Sequence, residues 1–236
     1  MRLIDLSREI YHREPTGPGG VPPQVWVWRS HEETKPLYTN GYSFTNRLLT
    51  FPDHTSTHVD APRHFDARPD APDIATVPLD WFYGPALCLD VSATRTSGWI
   101  DADDLAAACD RHALAIAPRD IVLLASGHHR RTYPRPEFFT AYPGMTPEAV
   151  RWLHARGVRN FGVETPNPGH PDDRTFAVHL LCQQLGMIHM EGLANLEAVA
   201  GRRFTFIGFP LKIRDGSGSP IRAVACLADG SGTGDV

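Results

Sequence analysis

FPDHTSTHVDAPRHF, residues Phe51 to Phe65, is the stretch from which the rest of the chain is best read. Between positions 54 and 64 it holds His54, His58, Asp60 and His64, three of the twelve histidines in a chain of 236 residues. A helix would bring His54 and His58 together one turn apart. Thr55, Thr57 and Val59 are β-branched, however, and Pro62 disfavours a helical Ala61. The pattern therefore predicts extended backbone, with residues 54, 56, 58 and 60 on one face at about 7 Å intervals. His58 and Asp60 then meet one ion, a slight bend brings in His54, and the small Ser56 leaves room for it. Pro62 ends the strand, so His64 is free to swing back over the site. Imidazoles with a carboxylate are the ligands that borderline divalent metals prefer.

Outward from this stretch, short apolar runs bounded by turn residues predict strands at Leu3 to Ser7, Ser43 to Thr50, Gly84 to Val91, Ile121 to Ala125, Phe161 to Val163, Met187 to Met190 and Phe204 to Phe209. Trp26 and Trp28, at period two, predict a strand or extended arm. Helices interleave: one capped by Asp101, one opening at Thr146-Pro147-Glu148 and stopping at Gly157, and one from Phe176 to Leu185 stopped at Gly186. This alternation predicts an α/β chain with a single domain over residues 1–226, a mixed β-sheet core flanked by helices, and a mobile tail over 227–236.

Composition excludes several classes. With 42% hydrophobic and 21% charged residues the chain is neither disordered nor fibrous. A formal net charge of -4 argues against a nucleic-acid partner. No apolar run reaches the roughly 18 residues of a membrane span. The first ten residues contain Arg2, Asp5, Arg8 and Glu9, which interrupt any signal-peptide core, so the expected location is the cytoplasm. Cys88, Cys109, Cys182 and Cys226 are far apart in sequence and read as small core residues in a reducing compartment.

A metal site needs further donors, and His179, His189, Glu191, Glu164, His170 and the pair His128-His129 are the candidates. Glu191 ends an apolar strand, where a carboxylate is costly unless paired or bound to a cation. The segment His54 to His64 resembles the signature H-x-G-T-H-x-D-x-P-x-H of the cyclase family of metal-dependent hydrolases, which includes bacterial kynurenine formamidases and isatin hydrolases. Its one departure is Ser56 in place of Gly. LIDLS near the N-terminus, GVETPNPG at Gly162 to Gly169 and SPIRAVA at Ser219 to Ala225 are also similar to that family. The resemblance implies a swivelling β/β/α-like fold. It implies one or two Zn or Mn ions, with His54, His58 and Asp60 binding one and Asp60 bridging to any second. It implies that His179 and Glu191 complete the second position, that His64 is the general acid/base, and that the chain is a homodimer or homotetramer. Glu164 replaces the family's usual Asp.

The chemistry agrees with hydrolysis of a small molecule. Water attacks an amide poorly at neutral pH. A divalent cation lowers the pKa of a coordinated water to about 7 and polarises the carbonyl. The leaving nitrogen needs a proton, and an imidazole such as His64 has the right intrinsic pKa to deliver it. Trp26, Trp28, Phe44, Trp81, Phe82 and Tyr83 are core residues or, alternatively, the walls of an aryl pocket. Aryl formamides and cyclic amides fit, as do lactones and isatin-type rings. A ring-closing cyclase or lyase and a non-catalytic metal-binding protein are the other function classes. Asp215 to Ser219 lacks the Lys-Ser/Thr of a phosphate loop, and His128 to Arg131 reads as a solvated loop.

Overall fold

A computed structural model describes residues 1–93 and 97–228. In chain order the strands are β1 (Arg2–Asp5), β2 (Gln24–Arg29), β3 (Asn46–Thr50), β4 (His58–Asp60), β5 (Tyr83–Asp90), β6 (Trp99–Ile100), β7 (Ile121–Ala125), β8 (Gly144–Met145), β9 (Asn160–Val163), β10 (Ile188–Glu191), β11 (Arg203–Ile207), β12 (Gly218–Pro220) and β13 (Val224–Leu227). The helices are α1 (His31–Thr34), α2 (Pro62–Phe65), α3 (Ala102–Arg111), α4 (His128–Thr132), α5 (Glu137–Thr140), α6 (Pro147–His154) and α7 (Ala177–Leu185).

Among the described residues, nine strands form one sheet in the order β1-β13-β11-β5-β7-β9-β10-β4-β12. Its centre, β5-β7-β9-β10, is parallel, and its flanks are antiparallel. The parallel strands are the continuous apolar runs that buried parallel strands require. Side-chain alternation then makes two cores. Leu87, Leu89, Val122 and Leu124 face α3, α6 and α7 through Leu105, Leu153 and Leu181. Ala86, Cys88, Ile121 and Leu123 face the other way, onto Phe204, Phe206 and the segment around Ile74. Truncating a fully buried Leu such as Leu123 costs about 2–5 kcal/mol. The mixed sheet flanked by helices is the architecture the sequence predicts.

Local chemistry sets the helix ends. Asp101 accepts from the Ala102 N–H while the Asp104 carboxylate accepts from the Asp101 N–H, so α3 begins with reciprocal caps. Thr146 caps α6 by accepting from Ala149 N–H. α7 stops at Gly186, whose φ of 63° is left-handed.

Three expectations change. The expected loop at His128 to Arg131 is α4, and His128 is fully buried with its Nε2 3.0 Å from the Phe138 carbonyl. Leu227, expected to open the tail, is the last residue of β13, is buried, and pairs with Arg2. The rest of the expected tail falls on 229–236, outside the described residues. The long extended run through His54 to Asp60 is only three residues of strand. Ser56 takes a φ of 57°, so the backbone turns before β4. A left-handed residue is disfavoured without glycine's freedom, which explains why this position is Gly in the signature.

Candidate metal centre

The site lies at the carboxyl edge of the parallel strands, where α/β sheets bind ligands. β4 runs antiparallel beside β10 with His58 opposite Glu191. Alternation then sends His58, Asp60, His189 and Glu191 to one face, while Val59 and Met190 enter the core on the other. α7 crosses that face and delivers His179. Gly192 lets the chain turn away after Glu191: its φ is 63°, and a Cβ there would lie 2.7 Å from the Ser56 carbonyl. Early and late stretches of the sequence therefore meet at one point.

The distances are those of a single cluster. Asp60 Oδ2 lies 3.1 Å from His189 Nε2 and 3.7 Å from both His179 Nε2 and His64 Nε2. Glu191 Oε1 lies 3.3 Å from His189 Nε2 and 3.7 Å from His179 Nε2. His58 Nε2 is 3.4 Å from Asp60 Oδ1 and 3.4 Å from Glu191 Oε2. His54 Nδ1 is 2.8 Å from Asp60 Oδ1. Two groups of donors share Asp60: Asp60, His179, His189 and Glu191 on the buried side, and His54, Asp60 and His64 on the open side. In each group the donor atoms lie within 4.8 Å of one another.

The donors fit a divalent cation on a direct test. Asp60 Oδ2 and both nitrogens of His189 are buried yet make no hydrogen bond, although Asp60 Oδ2 and His189 Nε2 converge. Buried polar atoms are seldom left unpaired, and a buried carboxylate oxygen converging with an imidazole nitrogen outside hydrogen-bond geometry is a donor pair that a metal ion would satisfy. A second feature orients the donors. His58 Nδ1 is 3.1 Å from the Ser56 carbonyl, to which its N–H donates, leaving Nε2 to face the carboxylates.

Electrostatics describe the same convergence. Burial works against the charge on His58, but bonding to Asp60 and Glu191 outweighs it and pushes the imidazole up to about 10. Burial opposes ionisation of Asp60 as well, and the surrounding histidines hold it well below the usual carboxylate range. Glu191 is held at about 2 against burial and the Asp60 charge by His189 and His58. His64 moves the other way. Burial lowers it, assisted by the neighbouring His54 and His179 and opposed by Asp60.

A cavity of about 430 Å³ opens onto this cluster, lined by His54, Ser56, His58, His64 and Glu191 and walled by Phe139 and Tyr142. His54, His58, Asp60, His64, His179 and Glu191, all singled out from the sequence, are brought together. His189 was a candidate donor but not among the residues the resemblance assigns. Its position two before Glu191 on a strand is the signal that places it on the same face. His170 lies outside the cluster, stacked on Trp99 with ring centroids 4.3 Å apart. Glu164 is also apart, accepting from Ser126 Oγ at 2.7 Å and His128 N–H at 3.1 Å. None of Trp26, Trp28, Phe44, Trp81, Phe82 and Tyr83 lines the cavity, and Phe82 is core.

The family model Cyclase matches residues 4–170. A kynurenine formamidase from Salinibacter ruber is 32% identical over 230 residues, covering 95% of this chain and 97% of its own length. Isatin hydrolase A from Ralstonia solanacearum superposes with a TM-score of 0.81 at 28% identity, over 95% of this chain and 91% of its own. Isatin hydrolase A from Labrenzia aggregata, solved with benzyl benzoate bound, gives a TM-score of 0.80 at 25% identity, over 95% and 93% of the two chains. The chain therefore belongs to the cyclase family of metal-dependent hydrolases.

Proposed function

We propose that this protein hydrolyses the C–N bond of a small aryl formamide or cyclic amide, with a formamidase-like activity. The observation that carries the reading is the unpaired, converging Asp60 Oδ2 and His189 Nε2 beside His64 on the wall of the cavity. The kynurenine formamidase relative supports the formamide and the isatin hydrolases support the cyclic amide.

His54, His58 and Asp60 would hold one Zn or Mn ion, and His179, His189 and Glu191, with Asp60 shared, a second on the buried side. An ion there supplies Lewis acidity, lowering the pKa of a coordinated water to about 7 and polarising a carbonyl. The chain's own residues do the rest. His64, on the cavity wall and with a lowered pKa, is neutral at pH 7. Its ring takes a proton as water adds to the carbonyl and returns it to the departing nitrogen. Asp60 Oδ2, 3.7 Å from His64 Nε2, steadies the positive charge between the two transfers. Phe139 and Tyr142 offer faces on which an aryl ring stacks.

No helix among the described residues is long and apolar enough to cross a membrane. A homodimer or homotetramer is part of the proposal, supported by the half-exposed Trp26, Trp28, Leu48 and Leu49 on the β2–β3 ribbon. The experiment is metal analysis of the purified protein, then a panel of aryl formamides, isatins and lactones assayed with Zn²⁺ or Mn²⁺ restored. The expected outcome is metal-dependent turnover, fastest on a formamide or cyclic amide. No amide turnover with either metal, or turnover confined to lactones, would overturn the reading.

A further inference from the structure

The segment Asp215 to Ser219, which carries no phosphate signature and runs into β12, closes onto the open side of the metal centre. Asp53 Oδ2 accepts three donors from it: Ser217 N–H at 2.9 Å, Ser217 Oγ–H at 2.8 Å and Gly218 N–H at 3.2 Å. A hydroxyl has one proton, and here it is committed to Asp53. The Ser217 oxygen can then only accept from His54 Nε2, which lies 2.9 Å away. His54 must carry a proton on Nε2, so Nδ1, 2.8 Å from Asp60 Oδ1, is the atom whose proton an ion would replace.

A second observation is independent of these bonds. A Cβ on Gly218 would stand 2.8 Å from His54 Cε1, 3.0 Å from its Nε2 and 2.8 Å from the Val59 carbonyl. The imidazole thus lies close against a backbone that has no side chain to displace it. His58 shows the opposite arrangement, since its Nδ1 is occupied by the Ser56 carbonyl and its Nε2 faces the carboxylates.

We infer that Asp53 and Ser217 are positioning residues that select the Nε2–H tautomer of His54, so that this histidine binds the ion through Nδ1 while His58 binds through Nε2. The inference rests on the metal-centre reading above. Neither residue touches the reacting atoms. They act by fixing the proton on a ligand, a contribution that typically changes metal affinity by about 10–100-fold.

The test uses the full chain with ¹⁵N-labelled histidine, Zn²⁺ as the diamagnetic probe and a chelator competition for affinity. Long-range ¹H–¹⁵N spectra, with His54 assigned by its loss in His54→Gln, are expected to show a proton on Nε2 with and without Zn²⁺. Ser217→Ala is expected to weaken Zn²⁺ by about tenfold or more, and Ser217→Thr, which keeps the hydroxyl, to stay within about threefold of the parent. Gly218→Ala is expected to weaken Zn²⁺ although Ser217 is intact, because it pushes the ring away. Unchanged affinity in Ser217→Ala with an unaltered melting temperature, or a parent whose His54 carries no proton on Nε2, overturns the relay. Failure of the parent to bind any Zn²⁺ sinks the metal reading instead, and the His54 tautomer in the same samples still decides the relay.

Discussion

Glu164 and Glu191 stand at the same edge of the sheet, just past β9 and at the end of β10, and both carboxyls are buried. They are driven in opposite directions. Burial pushes Glu164 up, and hydrogen bonds from Ser126 Oγ and the N–H groups that open α4 do not reverse it. Burial and the neighbouring Asp60 charge also push Glu191 up, yet His189 and His58 bring it to about 2. The difference teaches what each environment supplies. Hydroxyl and amide donors leave a buried carboxyl shifted up, whereas imidazoles bring one down and keep it ionised. Every ion pair of Asp60 and Glu191 among the described residues is with a histidine. Glu164 serves to hold the chain, and Glu191 faces a place that demands positive charge.

The strongest way to break the contrast is at Asp60, which both donor groups share. Asp60→Asn keeps the shape and removes the charge. Metal content is expected to fall to background and activity by about a thousandfold or more. Retained metal with retained activity would mean that the cluster is an internal network of ion pairs. His64→Ala separates binding from chemistry. Its side chain is 39% exposed, so the substitution leaves no buried hole. We expect full metal content with kcat lower by about 10²–10⁴-fold. Full activity would remove His64 from proton transfer.

His189→Gln sharpens the comparison by giving Glu191 a neighbourhood more like that of Glu164. Loss of the imidazole 3.3 Å from Glu191 Oε1 is expected to weaken Mn²⁺ or Zn²⁺ by about 10–100-fold in a chelator competition. An unchanged affinity would place His189 outside the centre. Proton competition gives a smaller, graded effect. His58 is held near 10 in the free chain, so an ion must displace its proton at neutral pH. Affinity is expected to rise with pH, by about tenfold per unit for each proton displaced, and to level off as pH passes about 10. A flat profile between pH 6 and 9 would show that ions do not compete for this imidazole.

The parallel core was legible because its strands are unbroken apolar runs whose period survives any packing. Thr146-Pro147 and Asp101 marked helix starts for local reasons that tertiary contacts do not override. His58 and Asp60 were legible from parity alone. His54 needed a bend as well as parity, and the left-handed Ser56 supplies a sharper one than the sequence suggests. The contribution of the Asp215 to Ser219 segment was hidden. Its partner Asp53 is more than 160 residues away in the chain, and no local pattern encodes such a contact. Phe139 and Tyr142 were missed as cavity walls because aromatic content says nothing about which ring the chain folds over the site.

The smallest expected effect lies at Glu164, and it tests the other half of the contrast. Glu164→Gln is a close match for the protonated acid, and its carbonyl oxygen can still accept from Ser126 Oγ and His128 N–H. The folded chain holds the Glu164 proton at pH values where the unfolded chain, near 4.5, has released it. The native state then binds more protons than the unfolded one, so the parent loses stability as pH rises from about 4.5 through the raised folded value. Glutamine does not titrate. Parent and variant are therefore expected to melt within about 1 kcal/mol of each other at pH 4, with the variant gaining steadily on the parent toward pH 8. Its metal content is expected to be unchanged throughout, because Glu164 offers the cluster no donor. A stability difference that does not vary with pH would mean that burial leaves Glu164 unshifted, and a variant that loses ground to the parent as pH rises would mean that Glu164 is held ionised like Glu191.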